Sequence, residues 1–133
     1  MIGTLEDQVA ELVEQLHGRS RASALCNLTG LGTAAIPLVE AAYGREANAT
    51  RRATLVQALS QFRDTAVLPA LSAGLRDLDD RVWKEALDGI VTVGGSLALQ
   101  VLRTAREAVG TFKDAAERRR WIDEAVEQVT SSR

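Results

Sequence analysis

The sequence contains one cysteine and one histidine among its 133 residues. Because Cys26 has no second thiol with which to pair, an intrachain disulfide is excluded. A Cys/His metal site within a single chain is excluded too, since His17 supplies the only imidazole. We therefore predict no metal, no cofactor and no catalytic residues.

Targeting segments and a strong charge of one sign are also missing. The chain starts with acidic residues where a signal peptide has a basic start and an apolar run. No apolar run approaches the roughly 18 residues that span a bilayer. The net charge of −2 supplies no global basic field for nucleic acid or anionic membranes. We expect a cytoplasmic protein that does not bind membranes, and we do not expect nucleic acid as its partner.

Proline and aromatic residues are scarce as well. The prolines are Pro37 and Pro69, and aromatic residues make up 4% of a chain that is 46% hydrophobic. Its core must therefore consist mainly of Leu, Val, Ile and Ala. The β-branched residues do not alternate with polar ones as they do in strands, so composition and pattern together predict an all-α protein.

One helical pattern occurs three times in the chain. Leu28, Leu59 and Ile90 stand 31 residues apart. Four residues before each is an apolar side chain, and one residue before each is a small or compact one: Ala24, Leu55 and Ala86, and Asn27, Ala58 and Gly89. These offsets lie on one face of a helix, and the small residues would let neighbouring helices approach closely.

Each of these helices is followed by a turn and a second helix. The turns are predicted at Gly32-Thr33, Arg63-Asp64 and Gly94-Gly95, with Thr33, Asp64 and Ser96 as N-caps. Pro37 and Pro69 fall in the first turns of second helices, where a missing N–H costs little. We predict one domain over residues 1–133, with repeats at 20–44, 50–76 and 80–109 between capping helices at 4–17 and 113–131.

The runs RRATLVQALSQFRDTAVLPAL and LDDRVWKEALDGIVTVGGSLALQVL resemble HEAT-like repeats of the bacterial bilin-lyase type. The resemblance covers about residues 20–109 and implies a short right-handed α-solenoid of about three helix pairs with capping helices. Stacking stabilises such units because one unit cannot bury its own apolar face. Families with these repeats include adaptors, bilin lyase subunits and DNA glycosylases. This chain departs from their pattern at Trp83 and Gln100, where a basic residue and a proline are usual.

The second helices of a solenoid form its inner surface, where partners usually bind. Small residues there predict a shallow groove of mixed charge. Arg76 and Arg103 would meet acidic groups of a peptide or a partner helix, and Gln100 and Glu107 extend the same surface.

A second candidate surface lies on one flank of the predicted stack, where Arg21, Arg52 and Trp83 occupy equivalent repeat positions. Two interpretations are open. Arg52 could lie against the Trp83 ring as a structural cation–π contact, or the strip could be an interaction hot spot, since Arg and Trp are enriched at interfaces.

The remaining polar residues have simpler interpretations. Arg118 to Arg120, beside Trp121, could bind an anion or nucleic acid, but acids four residues away predict a self-paired, solvated helix face. His17 is expected at a helix end, and Cys26 as a small packing residue. Asp79-Asp80 is expected to cap a helix and not to act as an acid–base pair.

These observations predict a non-enzymatic protein-interaction module, an adaptor, a scaffold or an inhibitor of a partner, that binds through the inner surface. The expected partner is a protein or peptide with acidic groups, and the chain is expected to be a monomer or a weak homodimer. The alternatives are a nucleic-acid-binding HEAT-like protein and a non-catalytic subunit resembling a bilin lyase. The sequence itself predicts that the chain is not an enzyme.

Overall fold

The computed structural model describes residues 3–131, which form eight α-helices and no strand. The helices are α1 (Leu5–Leu16), α2 (Arg21–Gly30), α3 (Ile36–Arg45), α4 (Ala49–Ser60), α5 (Leu68–Gly74), α6 (Asp80–Val93), α7 (Gly95–Ala108) and α8 (Ala115–Ser131). Short 3-10 turns precede α3, α5 and α8. The prediction of an all-α solenoid is confirmed.

The helices are arranged as a stack in which α4, α6 and α8 follow one another, with α5 and α7 beside them. The core runs through this stack along the predicted face: Leu28, Leu59 and Ile90 are fully buried, as are Ala24, Leu55 and Ala86. At the N-terminal end, α1 packs on α2, α3 and α4, and at the other end α8 packs on α6 and α7.

The first repeat differs from the other two. Its helix α2 packs mainly on α1, whereas α4 and α6 pack against each other. Ala58 and Gly89 are buried at the α4–α6 contact, but Asn27 at the equivalent position of α2 is exposed. The close approach expected in all three repeats is therefore absent from the first.

The turns within the repeats follow the predicted positions. Gly32, Arg63, Gly94 and Gly95 all have positive φ, and Arg63 is the one residue among them with a side chain to strain. Asp64 accepts a hydrogen bond from the Ala66 N–H as predicted, at 2.8 Å. Thr33 and Ser96 make no N-cap hydrogen bond, because Gly32 and Gly94 occupy the capping positions instead.

No single helix among the described residues is long and apolar enough to cross a membrane. The segments Arg21–Gly30 and Thr33–Arg45 together have the length and apolar composition of a membrane span, but the chain bends by 110° between them.

The α4–α6 contact generates a prediction about glycine. A Cβ on Gly89 would collide with the Ser60 side chain and lie 3.2 Å from Leu71 Cδ1, whereas a Cβ on Gly44 of α3 would meet nothing within 4 Å. Gly89→Ala should destabilise the fold by about 2 kcal/mol through overpacking. Gly44→Ala should stabilise it by a few tenths, up to about 1 kcal/mol, through helix propensity. Urea denaturation of both variants checks the pair, and equal effects would contradict the close contact.

Candidate functional site

A groove of about 220 Å³ lies between α6 and α8. Residues at a spacing of three or four line it from each helix, because that spacing keeps side chains on one helical face. From α6 they are Arg81, Lys84, Glu85, Leu87, Asp88 and Val91, and from α8 they are Trp121, Glu124, Ala125 and Gln128. The groove is thus a direct consequence of two amphipathic helices placed side by side.

Three carboxylates in the groove make no salt bridge within the described chain: Glu85, Asp88 and Glu124. Glu85 is half-buried, and its burial, together with the nearby charge of Asp88, raises the pKa of its carboxyl group above the usual value of 4.5. Burial disfavours the ionised form and a neighbouring carboxylate disfavours it further. A carboxyl group in this setting can take up or release a proton closer to neutral pH than an exposed glutamate.

The two cations in the groove are held by other groups. Arg81 donates to both carboxylate oxygens of Asp79 at 2.9 and 3.0 Å and to Thr50 Oγ1 at 2.7 Å. Lys84 Nζ lies 3.4 Å from Asp80 and 3.5 Å from Glu117. Both cations line the groove, but neither forms a salt bridge with Glu85, Asp88 or Glu124.

One wall of the groove is aromatic. Trp121 is half-buried and meets the buried Trp83 edge to face, with ring centroids 6.0 Å apart. Lys84 Nζ lies 4.7 Å from the Trp121 centroid and 5.4 Å from that of Trp83. The guanidinium of Arg118 lies 5.0 Å from the Trp83 ring centroid. Two cations therefore lie within cation–π distance of the Trp83 ring.

Arg118 joins α8 to the turn between α5 and α6. The residue is 2% exposed, and its guanidinium donates to the carbonyl oxygens of Leu75 and Asp77 at 2.8 and 2.7 Å and to Asp114 Oδ1 at 2.7 Å. This corrects the expectation that Arg118 to Arg120 form one solvated face. Arg118 is instead buried, and Asp123, the acid four residues after Arg119, pairs with Arg106 at 2.6 Å.

Asp77 receives a second set of bonds through its carboxylate. Arg52 donates to its two oxygens at 2.9 and 3.3 Å, and the Tyr43 hydroxyl donates to it at 3.2 Å. Burial and the Asp77 carboxylate raise the pKa of Tyr43 to about 12. Together with Arg118, these side chains connect α3, α4 and α8 through one turn, and we call this set (Tyr43, Arg52, Asp77 and Arg118) the Asp77 tie.

The predicted Arg21, Arg52 and Trp83 flank does not form a surface strip. Trp83 is 1% exposed, so it is not available to a partner, and Arg52 binds Asp77 in place of the Trp83 ring. The cations over Trp83 are Lys84 and Arg118. Arg21 is exposed and donates to the Leu16 carbonyl at 3.2 Å, which ties the start of α2 to the end of α1.

The predicted inner-surface residues lie outside the groove. Gln100, Arg103 and Glu107 are exposed on α7, and Arg76 is exposed just after α5. The structure does not bring them together with Glu85 or Trp121. Their role in partner binding stays a prediction.

Predicted roles also exist for Asp79, Cys26 and His17, and the structure bears on each of them. Asp79 caps α6 by accepting from the Arg81 N–H, and hydrogen bonds from Arg81 lower the pKa of Asp79 to about 2. Cys26 is exposed and is therefore not a packing residue. His17 ends α1 as expected, but its Nε2 is buried without a hydrogen-bond partner.

Glu85, Asp88 and Glu124 were not among the residues predicted from the sequence. Their signal was available, since Glu85 and Asp88 lie three apart on α6 and Glu124 lies three after Trp121 on α8. The missing knowledge was that these two helical faces are adjacent. Among residues 3–131, no group of three or more His, Cys, Asp and Glu is arranged to hold a metal ion.

Comparison with solved structures identifies the architecture. Human deoxyhypusine hydroxylase, solved in complex with glycerol, superposes with a TM-score of 0.69 over 95% of this chain, at 23% sequence identity. The chain has a HEAT-like repeat fold. It spans 44% of the hydroxylase chain. No protein-family model matches the sequence, and no curated protein sequence matches it significantly.

This HEAT-like likeness corrects two predictions. The matched protein is an enzyme, so the predictions of a non-enzymatic interaction module and of a chain that is not an enzyme are contradicted, and we withdraw both. The error lay in inferring function from repeat architecture, because one fold supports many functions. The finer resemblance to bilin-lyase-type repeats is not supported, and the alternatives that depended on it are withdrawn with it. At 23% identity the likeness itself establishes the fold alone.

The burial of Arg118 leads to a stability prediction. Arg118→Met keeps the side-chain length but removes the donors to the buried Leu75 carbonyl and the part-buried Asp77 carbonyl, so it should lower the free energy of unfolding by about 3 kcal/mol. Arg120→Met, two residues further along the same helix and exposed, should change it by less than about 0.5 kcal/mol. Urea denaturation measures both, and similar values for the two variants would show that the Asp77 tie does not stabilise the fold.

His17 leads to a prediction about pH. Its burial and the nearby charge of Arg51 lower its pKa below 6.5, against the opposing charges of Glu46 and Glu14. The unfolded chain then binds a proton more readily than the folded one, so stability should fall as the pH drops below about 6.5. His17→Gln should flatten this part of the profile in thermal melts between pH 8 and pH 5. An unchanged slope in the variant would contradict the assignment.

Proposed function

We propose that the chain is an enzyme, or the substrate-binding part of one, and that the α6–α8 groove binds a substrate carrying a protonated amine. The observation that carries the proposal is the placement of Glu85, Asp88 and Glu124 in one groove with the Trp121 ring, where none of the three forms a salt bridge within residues 3–131. Carboxylates attract an alkylammonium ion, and the groove holds three of them within one small volume. Lys84 Nζ already lies 4.7 Å from the Trp121 centroid, so we assign the ring to the carbon chain of the substrate and not to its charge.

Glu85 is the residue proposed to exchange a proton with the substrate. In the free protein, burial and the charge of Asp88 raise its pKa above 4.5, so it holds a proton more readily than an exposed glutamate does. The pKa falls again when a cation binds beside it, because a positive charge stabilises the ionised carboxylate. An ammonium substrate would therefore leave Glu85 ionised and able to accept a proton.

The name of the HEAT-like neighbour agrees with the proposed class of substrate. Its name states that it acts on deoxyhypusine, which is an amine. We take from this comparison only the amine character of the substrate, and the groove chemistry supports the same class independently.

Spermidine titration tests the binding step. Trp121 lines the groove and the second tryptophan, Trp83, is buried, so tryptophan fluorescence should change on binding and Trp121→Phe should abolish most of the change. Glu85→Gln should weaken binding about tenfold, the equivalent of one lost charge contact. The matched control is Glu107→Gln, which removes the same charge from the exposed face of α7 and should leave binding unchanged.

The pH dependence of spermidine binding has a defined sign. Binding requires ionised carboxylates, so the affinity should fall as the pH decreases towards the raised pKa of Glu85. Glu85→Gln should shift this fall to lower pH. Equal binding by wild type and Glu85→Gln at neutral pH would overturn the proposed site.

Turnover needs a separate measurement. Peptides containing lysine or deoxyhypusine are incubated in a crude extract that supplies co-reactants, with and without the added protein. The masses of the peptides from the two incubations are then compared. The proposal predicts a mass change that depends on added protein and is strongly reduced with Glu85→Gln. If binding is observed but no mass change depends on the protein, the amine site stands and the enzymatic role is wrong.

A further inference from the structure

A second groove lies at the opposite end of the stack, between α1 and α3. It has a volume of about 350 Å³ and a floor of small and apolar side chains. Val13, Leu38 and Ala42 are half-buried there, and Ala10 and Ala41 are exposed. Small exposed residues allow another helix to approach closely, and half-buried apolar ones gain from being covered.

The rim of this groove is acidic on the α1 side. Glu6 and Glu14 line it, both are exposed, and neither makes a salt bridge within the described chain. They stand two helical turns apart, about 12 Å along α1. The helix α1 as a whole contains four acids, Glu6, Asp7, Glu11 and Glu14, and no base. Arg45 on α3 also lines the groove and carries a positive charge.

Charge decides which occupant fits. A helix lying along α1 would place side chains beside Glu6 and Glu14 when its own residues are seven or eight apart, since that spacing is also two turns. Lysine or arginine at those positions would neutralise the rim, whereas an acidic partner would be repelled. The floor requires apolar residues between them, at a spacing of three or four.

We propose that the α1–α3 groove is a docking site for a basic amphipathic helix of a partner protein. This surface is separate from the α6–α8 groove and does not depend on the amine proposal. The partner helix packs its apolar face on Val13, Leu38 and Ala42 and pairs its flanking cations with Glu6 and Glu14. Binding of this kind depends on salt concentration, because the rim charges are exposed to solvent.

The test uses a helical peptide of about 12 residues, the length of α1, with leucine and alanine on one face and lysines on both flanks. A second peptide replaces every lysine with glutamate. Fluorescence anisotropy should show that the lysine peptide binds to the protein and that the glutamate peptide does not. The double variant Glu6→Lys/Glu14→Lys should weaken this binding by about tenfold or more.

The control is the double variant Glu11→Lys/Glu40→Lys, which makes the same change in net charge at exposed positions that do not line the groove. It should retain most of the affinity, and circular dichroism melts should show that both double variants fold. Equal weakening in the two double variants, or binding of the glutamate peptide, would overturn the proposal. So would a dimer in sedimentation equilibrium that Glu6→Lys/Glu14→Lys dissociates, since a second copy would then occupy the groove.

Discussion

The hydrogen bonds around Asp77 hold together parts of the chain that are far apart in sequence. Arg118 of α8 donates to the carbonyls of Leu75 and Asp77, while Arg52 of α4 and Tyr43 of α3 donate to the Asp77 carboxylate. A buried guanidinium is costly unless its donors are satisfied, and here each donor nitrogen of Arg118 has an oxygen within 2.8 Å. Stacking of apolar faces brings these helices together, and the Asp77 tie fixes how they are placed.

The position of the α6–α8 groove follows from this tie. Asp77 lies three residues before α6, and its carboxylate accepts from the Asp79 N–H at 3.0 Å. The residue that accepts a hydrogen bond from Arg118 of α8 therefore also holds the start of α6 in place. One turn along α8 from Arg118, Trp121 packs against Trp83 of α6. The two walls of the groove are thereby set by contacts on its buried side, and the carboxylates on its open side take no part in them.

The repeat period was predictable from the sequence, whereas the polar contacts were not. Leu28, Leu59 and Ile90 repeat because each must fill the same place in the stack, and such periodicity is visible without a structure. The Asp77 tie joins residues 34 and 41 positions apart, and no local pattern marks such pairs. Local pairing also misled the interpretation of Arg118, because an acid four residues away indicates a helical ion pair whether or not the pair is buried. The exposure of Asn27 shows a further limit, since equivalent repeat positions need not have equivalent neighbours.

Burial separates the charges that stabilise this fold from those that do not. Arg118 is almost fully buried, and its bonds offset its desolvation. Glu85 is half-buried and forms no salt bridge within residues 3–131, and the rise in its pKa means that the folded chain disfavours its charge. Ionised Glu85 therefore lowers the stability of the fold. Departures of this kind from local consistency concentrate at functional sites, and a bound cation would remove the cost by supplying the missing charge. The α6–α8 groove is therefore a better candidate for a cation site than the inner surface is for a binding site, since the exposed arginines of that surface are solvated and cost the fold little.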